Sequence, residues 1–383
     1  MALTTIQTNN KLIQFAREIN REFVRENMFS PYMGDDLNAI IRRRYEPKNG
    51  GEQINIPLVT RLTNAAVGVG TLVGNEEKID NYGMRVWIDW ARNAVKSNKA
   101  EMQKDSADIF GEAKPLLSDW GRELQRDEII AALMALPSES APSGLGSSLG
   151  QRVNGLLWES ATDAQKTTWE NDNSDRVLFG AVTSNLAGVS FATDLAKVDT
   201  AADVFKQGPL QLMKRMAMNA NPAIRPYKTP DGYEYYVAFA GSNTFRDLKA
   251  DLATVWQNGQ PREKKDGNPL FQDGDIMFDG VIVRQVPEIS GFVTDIWTDL
   301  ATGGASSTRV EPVFLCGKQA AVYAWGQMAK PTFLKEDDYG FNTGAGIEMA
   351  YGCAKMFKKH PMTGTALKQW GVVTGFFSSA LDA

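Results

Sequence analysis

The sequence predicts an α+β fold, and three observations carry that prediction. Period-two alternation at 53–58 and 84–91 reads as strands. Residues 103–136 hold apolar side chains at helical spacing over an unusual length. Between 42 and 80 the chain has few apolar anchors and reads as a long, thin, two-stranded excursion. With 383 residues the chain can bury a substantial core and form two or more domains.

Taken in order, the elements begin with an amphipathic helix at 11–27, where Leu12, Ile13, Phe15, Ala16, Ile19, Phe23 and Val24 share one face. Pro31 and Gly34 interrupt the pattern soon after it. The turn-rich KNGG at 48–51 leads into a strand in which Ile54, Ile56 and Leu58 alternate with Gln53, Asn55 and Pro57. Pro57 confines that strand to an edge or an exposed arm. A two-stranded ribbon is marginal alone in water, so 42–82 should need backing from elsewhere. From Met84 to Ala91 the alternation puts Val86, Ile88 and Trp90 on one face and Arg85, Trp87, Asp89 and Ala91 on the other. The mixed face suits a protein–protein surface, where aromatic and Arg residues are enriched. An ordinary strand with a Trp under its own loop is the other reading.

Residues 103–136 predict a spine helix of about 50 Å, kinked or restarted at Pro115. PSESAPSGLGSSLGQRVNG at 137–155 reads as a flexible, exposed loop. A shorter helix is expected at 200–219, interrupted near Gly208 and Pro209. A turn and strand follow at 230–241, a helix at 245–257, and a turn–strand–turn–strand at 274–288. The segment 311–327 reads as a strand, a glycine and a helix, and IEMAYGCAKMFKK and WGVVTGFFSSAL read as two closing strands. No internal repeats are visible.

Forty-one basic against 46 acidic residues give a net charge of −5, which argues against a dedicated nucleic-acid binder. Cys316 and Cys353 are too few for a disulfide framework and read as reduced, buried thiols. No signal peptide is legible, and no stretch approaches the roughly 20 apolar residues of a membrane span. The chain is expected to be soluble and made in cytoplasm.

Catalytic signatures are thin. His360 is the single histidine and sits in a loop-like KKHPMTG. The GSSLG at 146–150 lies in a Ser/Pro/Gly-rich loop, without the strand–helix elbow a nucleophilic serine needs. GVGTLVG at 68–74 misses the dinucleotide-loop spacing and has no helix pattern after it. Asp273, Asp275 and Asp279, and likewise Glu336, Asp337 and Asp338, lack calcium-loop spacing and fit plain turns.

GNEEKIDNYGMRVWIDWARNAV at 74–95 resembles the end of the extended loop in the podophage branch of tailed-bacteriophage major capsid proteins, which have the Hong Kong 97-type fold. DYGFNTGAGIEMAYGCAKMF and WGVVTGFF resemble that branch's closing strands, and the order of elements fits over nearly the whole chain. The resemblance implies an N-terminal arm at 1–41 and an extended β loop at 42–82. It further implies a peripheral domain at 83–175, an axial domain at 176–335 and returning C-terminal strands at 336–383. It implies self-assembly as hexamers and pentamers into an icosahedral shell around packaged double-stranded DNA, in the virion, with assembly in the host cytoplasm and neither catalysis nor a cofactor.

Arg42, Arg43 and Arg44 at the base of the loop, and Glu76 and Glu77 at its return, are then candidate intersubunit charge partners. Arg85, Trp87 and Asp89 would face the neighbour. Expected partners are other copies, a separate scaffolding protein, a portal protein at one vertex, an optional decoration protein, and DNA held weakly on the inner face, with no membrane and no metal. An encapsulin-like compartment, another virion component and an enzyme of unknown type are the competing readings.

Overall fold

The computed structural model describes residues 25, 27–45, 52–59, 62, 64–79, 81–104, 109–229, 232–252, 271–272, 275–334, 338–359 and 366–382. The helix predicted at 11–27 (Arg25 and Asn27 apart), the KNGG turn, residues 253–257, Asp273, Glu336, Asp337 and His360 lie outside them. The chain divides into two compact units. One comprises Met1–Asn27, Ala91–Gln125 and Met328–Met349, the other Met28–Trp90, Arg126–Gln327 and Ala350–Ala383.

The larger unit is built on a mixed sheet. Its spatial order is β6 (Val177–Phe179), β17 (Val372–Ser378), β12 (Val310–Cys316), β8 (Glu234–Ala240), β11 (Val281–Gln285), β10 (Asp275–Phe278) and β9 (Phe271–Gln272). A short β7 (Tyr227–Lys228) pairs with β8 off that path. The β6–β17 and β8–β11 pairs are parallel, and the others along the path are antiparallel. Strand side chains alternate between faces, and here both faces are apolar. Val373 and Phe377 join one core with Leu315, with Leu210 and Met213 of helix α5 (Gln207–Asn219), and with Leu248 of α6 (Ser242–Asp251). Phe376 points the other way into an aromatic cluster with Trp158, Trp169, Phe179 and Phe191, whose ring centroids lie 5.0–6.3 Å apart. Trp169 is presented by α3 (Asp163–Asp172), which opens with a Thr162–Gln165 capping box.

A second sheet runs β1 (Met33–Gly34), β2 (Ile41–Tyr45), β13 (Ala321–Phe333), β14 (Asn342–Lys355), β5 (Asp89–Asn98). The helix predicted in 311–327 is therefore corrected: after Gly317 the chain forms strand β13. Val322 and Ala324 enter one core, whereas Tyr323 turns to the opposite face and stacks on Tyr351 at 4.9 Å. With both faces buried there is no polar stripe to reveal the period. In the smaller unit, Ala113 and Leu117 pack on Ala345 and Ile347.

The spine is also shorter than predicted. Helix α1 (Lys99–Lys104) is separate, and α2 (Ala113–Met134) spans 22 residues, about 33 Å. Pro115 lies in the first turn of α2, where backbone N–H groups have no intrahelical acceptor, so it starts the helix without kinking it. Likewise α5 begins at Gln207 with Pro209 in its first turn, in place of an interrupted helix from 200. The hairpin at 274–288 turns on Asp279 and Gly280, both at positive φ (48° and 68°), as a two-residue primed turn requires.

The excursion at 42–82 is not a single ribbon. β2 pairs in parallel with β13, so Arg42, Arg43 and Arg44 belong to the second sheet. The ribbon is β3 (Gln53–Val59) against β4 (Asn81–Trp87), in register from Gln53↔Trp87 to Val59↔Asn81. Ile54, Ile56, Leu58, Met84 and Val86 are buried against Val322, Ala354, Met356 and Phe357 of the same chain. The ribbon thus has its own backing, contrary to the expectation that a neighbour supplies it. That expectation survives only for the residues between β3 and β4.

Candidate functional site

Between β3 and β4 the chain leaves the core. Residues 64–79 have no helix or strand, and most are exposed. Leu72 and Val73 are 67% and 79% exposed, Val69 is fully so, and Val67 and Ile79 add to the same apolar strap. Several of its hydrogen bonds are local. Asn75 N–H donates to the Leu72 carbonyl at 3.0 Å, and Gly74, at φ 86°, donates to Glu76 Oε2 at 2.7 Å. Glu77 Oε2 accepts from Asn64 N–H at 2.9 Å. Glu76 and Glu77 therefore help shape the strap itself, each accepting a hydrogen bond from its backbone.

The other candidates divide. Arg43 is exposed and paired with Asp35 at 3.2 Å. Arg42 and Arg44 are half-buried with Nε atoms that have no partner, and burial lowers the Arg42 pKa. Arg85 is exposed on the outer face of β4. Trp87 and Asp89 are corrected: both are buried, at 9% and 6% exposure, inside their own chain. The side-chain amide of Asn154 mimics a neighbouring strand, donating to the Trp87 carbonyl at 2.9 Å and accepting from its N–H at 2.8 Å. A Cβ on Gly352 would come within 2.0 Å of the Trp87 carbonyl oxygen, so that close approach requires glycine.

Asp89 organises the loop at 137–155, which is thereby neither free nor wholly exposed as predicted. Its Oδ2 accepts from the N–H groups of Gly146 at 3.0 Å and Gln151 at 2.8 Å. Arg152, bonded to Glu128 at 2.7 Å, also donates to the carbonyls of Trp90 and Leu149. The GSSLG sequence is a turn between two glycines at positive φ and offers no nucleophile elbow. The aromatic left outside is Trp90, half exposed, beside the loop that carries the exposed Leu149. Alternation failed here because β4 ends at Trp87 and β5 starts at Asp89, so the phase shifts across Ile88 with no Gly or Pro to signal it.

A polar cluster that the sequence did not reveal lies beside β4. Tyr82 Oη donates to Glu139 Oε1 at 2.7 Å, and Lys359 Nζ reaches Glu139 Oε2 at 2.6 Å. These groups converge from residues 57 or more apart in sequence, which no local spacing could show.

Among the described residues no group of three or more His, Cys, Asp or Glu could hold a metal ion. Asp279 is ion-paired with Lys214 at 3.1 Å. Cys316 and Cys353 are buried free thiols, their pKa values raised by burial. No described helix is long and apolar enough to cross a membrane. The exposed surface offers noncovalent contact: an apolar strap, a guanidinium beside a polar pocket, and an aromatic loop edge.

A family model described as phage capsid protein matches residues 4–374. Among solved structures, the cyanophage Pam1 capsid asymmetric unit is similar at a TM-score of 0.84 and 33% identity, with all of both chains covered. The capsid of Ralstonia phage GP4 has a TM-score of 0.69 at 17% identity, also with full coverage of both. The head structure of Helicobacter pylori bacteriophage KHP40 has 0.63 at 14%, covering 97% of this chain and 96% of its own. These last two show the fold alone. No curated protein sequence matches. A self-backed α+β body with an exposed apolar strap, matched to this family from end to end, leaves one assignment: the chain belongs to the phage capsid protein family, has the Hong Kong 97-type fold, and is a major capsid protein of an icosahedral shell.

Proposed function

We propose that the chain assembles as hexamers and pentamers around double-stranded DNA, and that the strap at 64–79 of each copy lies on a neighbour. The exposed apolar run from Val67 to Val73 is the observation that carries this. Soluble monomers rarely leave such a contiguous patch uncovered. A contact between unlike surfaces closes into rings when the rotation allows it. Arg42, Arg43, Arg44 and Arg85, with the carboxylates of Glu76 and Glu77, supply charge partners that set register at this contact. Each exposed pair is worth only about 0–1 kcal/mol, and the shell is stable because every subunit binds several neighbours at once. The chain's role is assembly, without catalytic turnover, in particles formed in the host cytoplasm.

Purified protein observed by electron microscopy gives the test. Closed icosahedral particles are expected, and particles from infected cells should contain double-stranded DNA. Monomers or open tubes under all assembly conditions would overturn the proposal. Protein cargo in place of nucleic acid would point to an encapsulin-like compartment.

A further inference from the structure

Tyr82, Gly83, Arg85, Glu139 and Phe357 line a surface cavity of about 270 Å³ beside β4. Trp87 turns its N–H and carbonyl away from β3, toward Asn154. Strand alternation carries the same orientation to Arg85 and Gly83, so their backbone groups also point away from β3. Pro57, opposite Gly83, then sits where its missing N–H costs the ladder nothing.

The cavity's charges are unequally matched. Both oxygens of Glu139 are taken, one by Tyr82 and one by Lys359. Burial alone would raise the Glu139 pKa. The hydrogen bonds from Lys359 and Tyr82 and the positive fields of Lys359 and Arg85 outweigh it and hold the carboxyl ionised, below its usual range. The Arg85 guanidinium has no hydrogen bond or ion pair of its own among the described residues. Two cations against one carboxylate leave one net positive charge. Phe357 and Tyr82, with ring centroids 6.5 Å apart, wall the cavity with apolar surface.

We propose that this cavity receives the carboxylate of an Asp or Glu side chain from a second copy of the chain, with Arg85 as its bidentate anchor. The deduction rests on the chain being self-assembling. A single carboxylate balances the single excess charge, and the aromatic walls suit the aliphatic stem of an acidic side chain. A DNA backbone would ask for several cations with no fixed carboxylate among them. The chain is itself acidic, at −5, so other copies supply the ligand.

Two measurements on the full chain test this. In the first, the photo-crosslinker p-benzoylphenylalanine replaces Arg85, and assembled particles are irradiated. The expected product joins position 85 to a peptide of another copy that carries an exposed Asp or Glu. Crosslinks to DNA, or only within one copy, would overturn the proposal. In the second, R85E is expected to cut the assembled fraction in sedimentation at least tenfold while the thermal midpoint of the unassembled subunit stays unchanged. Assembly of R85E at the wild-type level, alongside wild-type shells, would defeat the cavity proposal and leave self-assembly standing. Absence of wild-type shells would instead defeat self-assembly.

Discussion

Lys355 is 3% exposed on β14, and its Nζ has no hydrogen-bond partner. The ammonium sits 5.3 Å from the centre of the Trp169 ring, a weak substitute for water. Burial pushes its pKa down to about 7, and the nearby Cys316 thiol offsets this only in part. Between pH 7 and 10.5 the unfolded chain binds a proton that the folded chain does not, so stability rises with pH across that window. Below about pH 7 both states are protonated and the full cost of burying the charge is present. K355M should therefore raise the urea midpoint of the unassembled subunit at pH 6, by ~2–5 kcal/mol in stability at about 1.4 kcal/mol per pKa unit. It should also flatten the rise between pH 7 and 10.5. A wild-type pH profile in K355M would refute this. Glu170 has the opposite sign: burial, then Asp194 and Asp163, raise its carboxyl to about 8, so its contribution falls as pH climbs from 4.5 to 8. Neither residue was legible as unusual in sequence, because a lone Lys or Glu in a chain gives no sign of its burial.

At the scale of elements, long periodic segments were readable and phase changes were not. The alternation of Ile54, Ile56 and Leu58 marked β3, and the Asp279–Gly280 pair marked the β10–β11 hairpin, because each encodes a local backbone preference. The strand β13 was misread because Val322, Tyr323, Ala324 and Trp325 are apolar in succession, which fits either period. The shift at Ile88, which buried Trp87 and exposed Trp90, was invisible because tertiary partners cause it: Asn154 holds Trp87 and the 146–151 backbone holds Asp89. D89A removes the acceptor for three backbone N–H groups, those of Trp90, Gly146 and Gln151, and should cost ~1–3 kcal/mol. It should also speed hydrogen exchange at Gly146 and Gln151 by at least tenfold. Unchanged protection at both amides would show that the loop stands without Asp89.

For the whole molecule, the division of labour is between a self-sufficient body and an unfinished strap. The body buries both faces of its large sheet and the inner face of the ribbon. The strap holds Val69, Leu72 and Val73 in solvent. The combined change V69D/L72D/V73D touches no core contact, so the subunit's thermal midpoint should move by less than about 2 °C. Shell yield by sedimentation should fall by an order of magnitude or more. Normal shells from this variant would remove the strap from the assembly contact.

The sequence alone determined the fold class, the family resemblance and the location of the exposed excursion. Those depend on local periodicity, turn chemistry and short motifs that lie within a few residues of one another. Only the tertiary structure decided which part of that excursion is unbacked, which tryptophan faces outward, and that Tyr82, Arg85, Glu139 and Lys359 meet. Those outcomes depend on side chains brought together across long sequence separations, where burial and pairing are set by the packed body and not by neighbours along the chain.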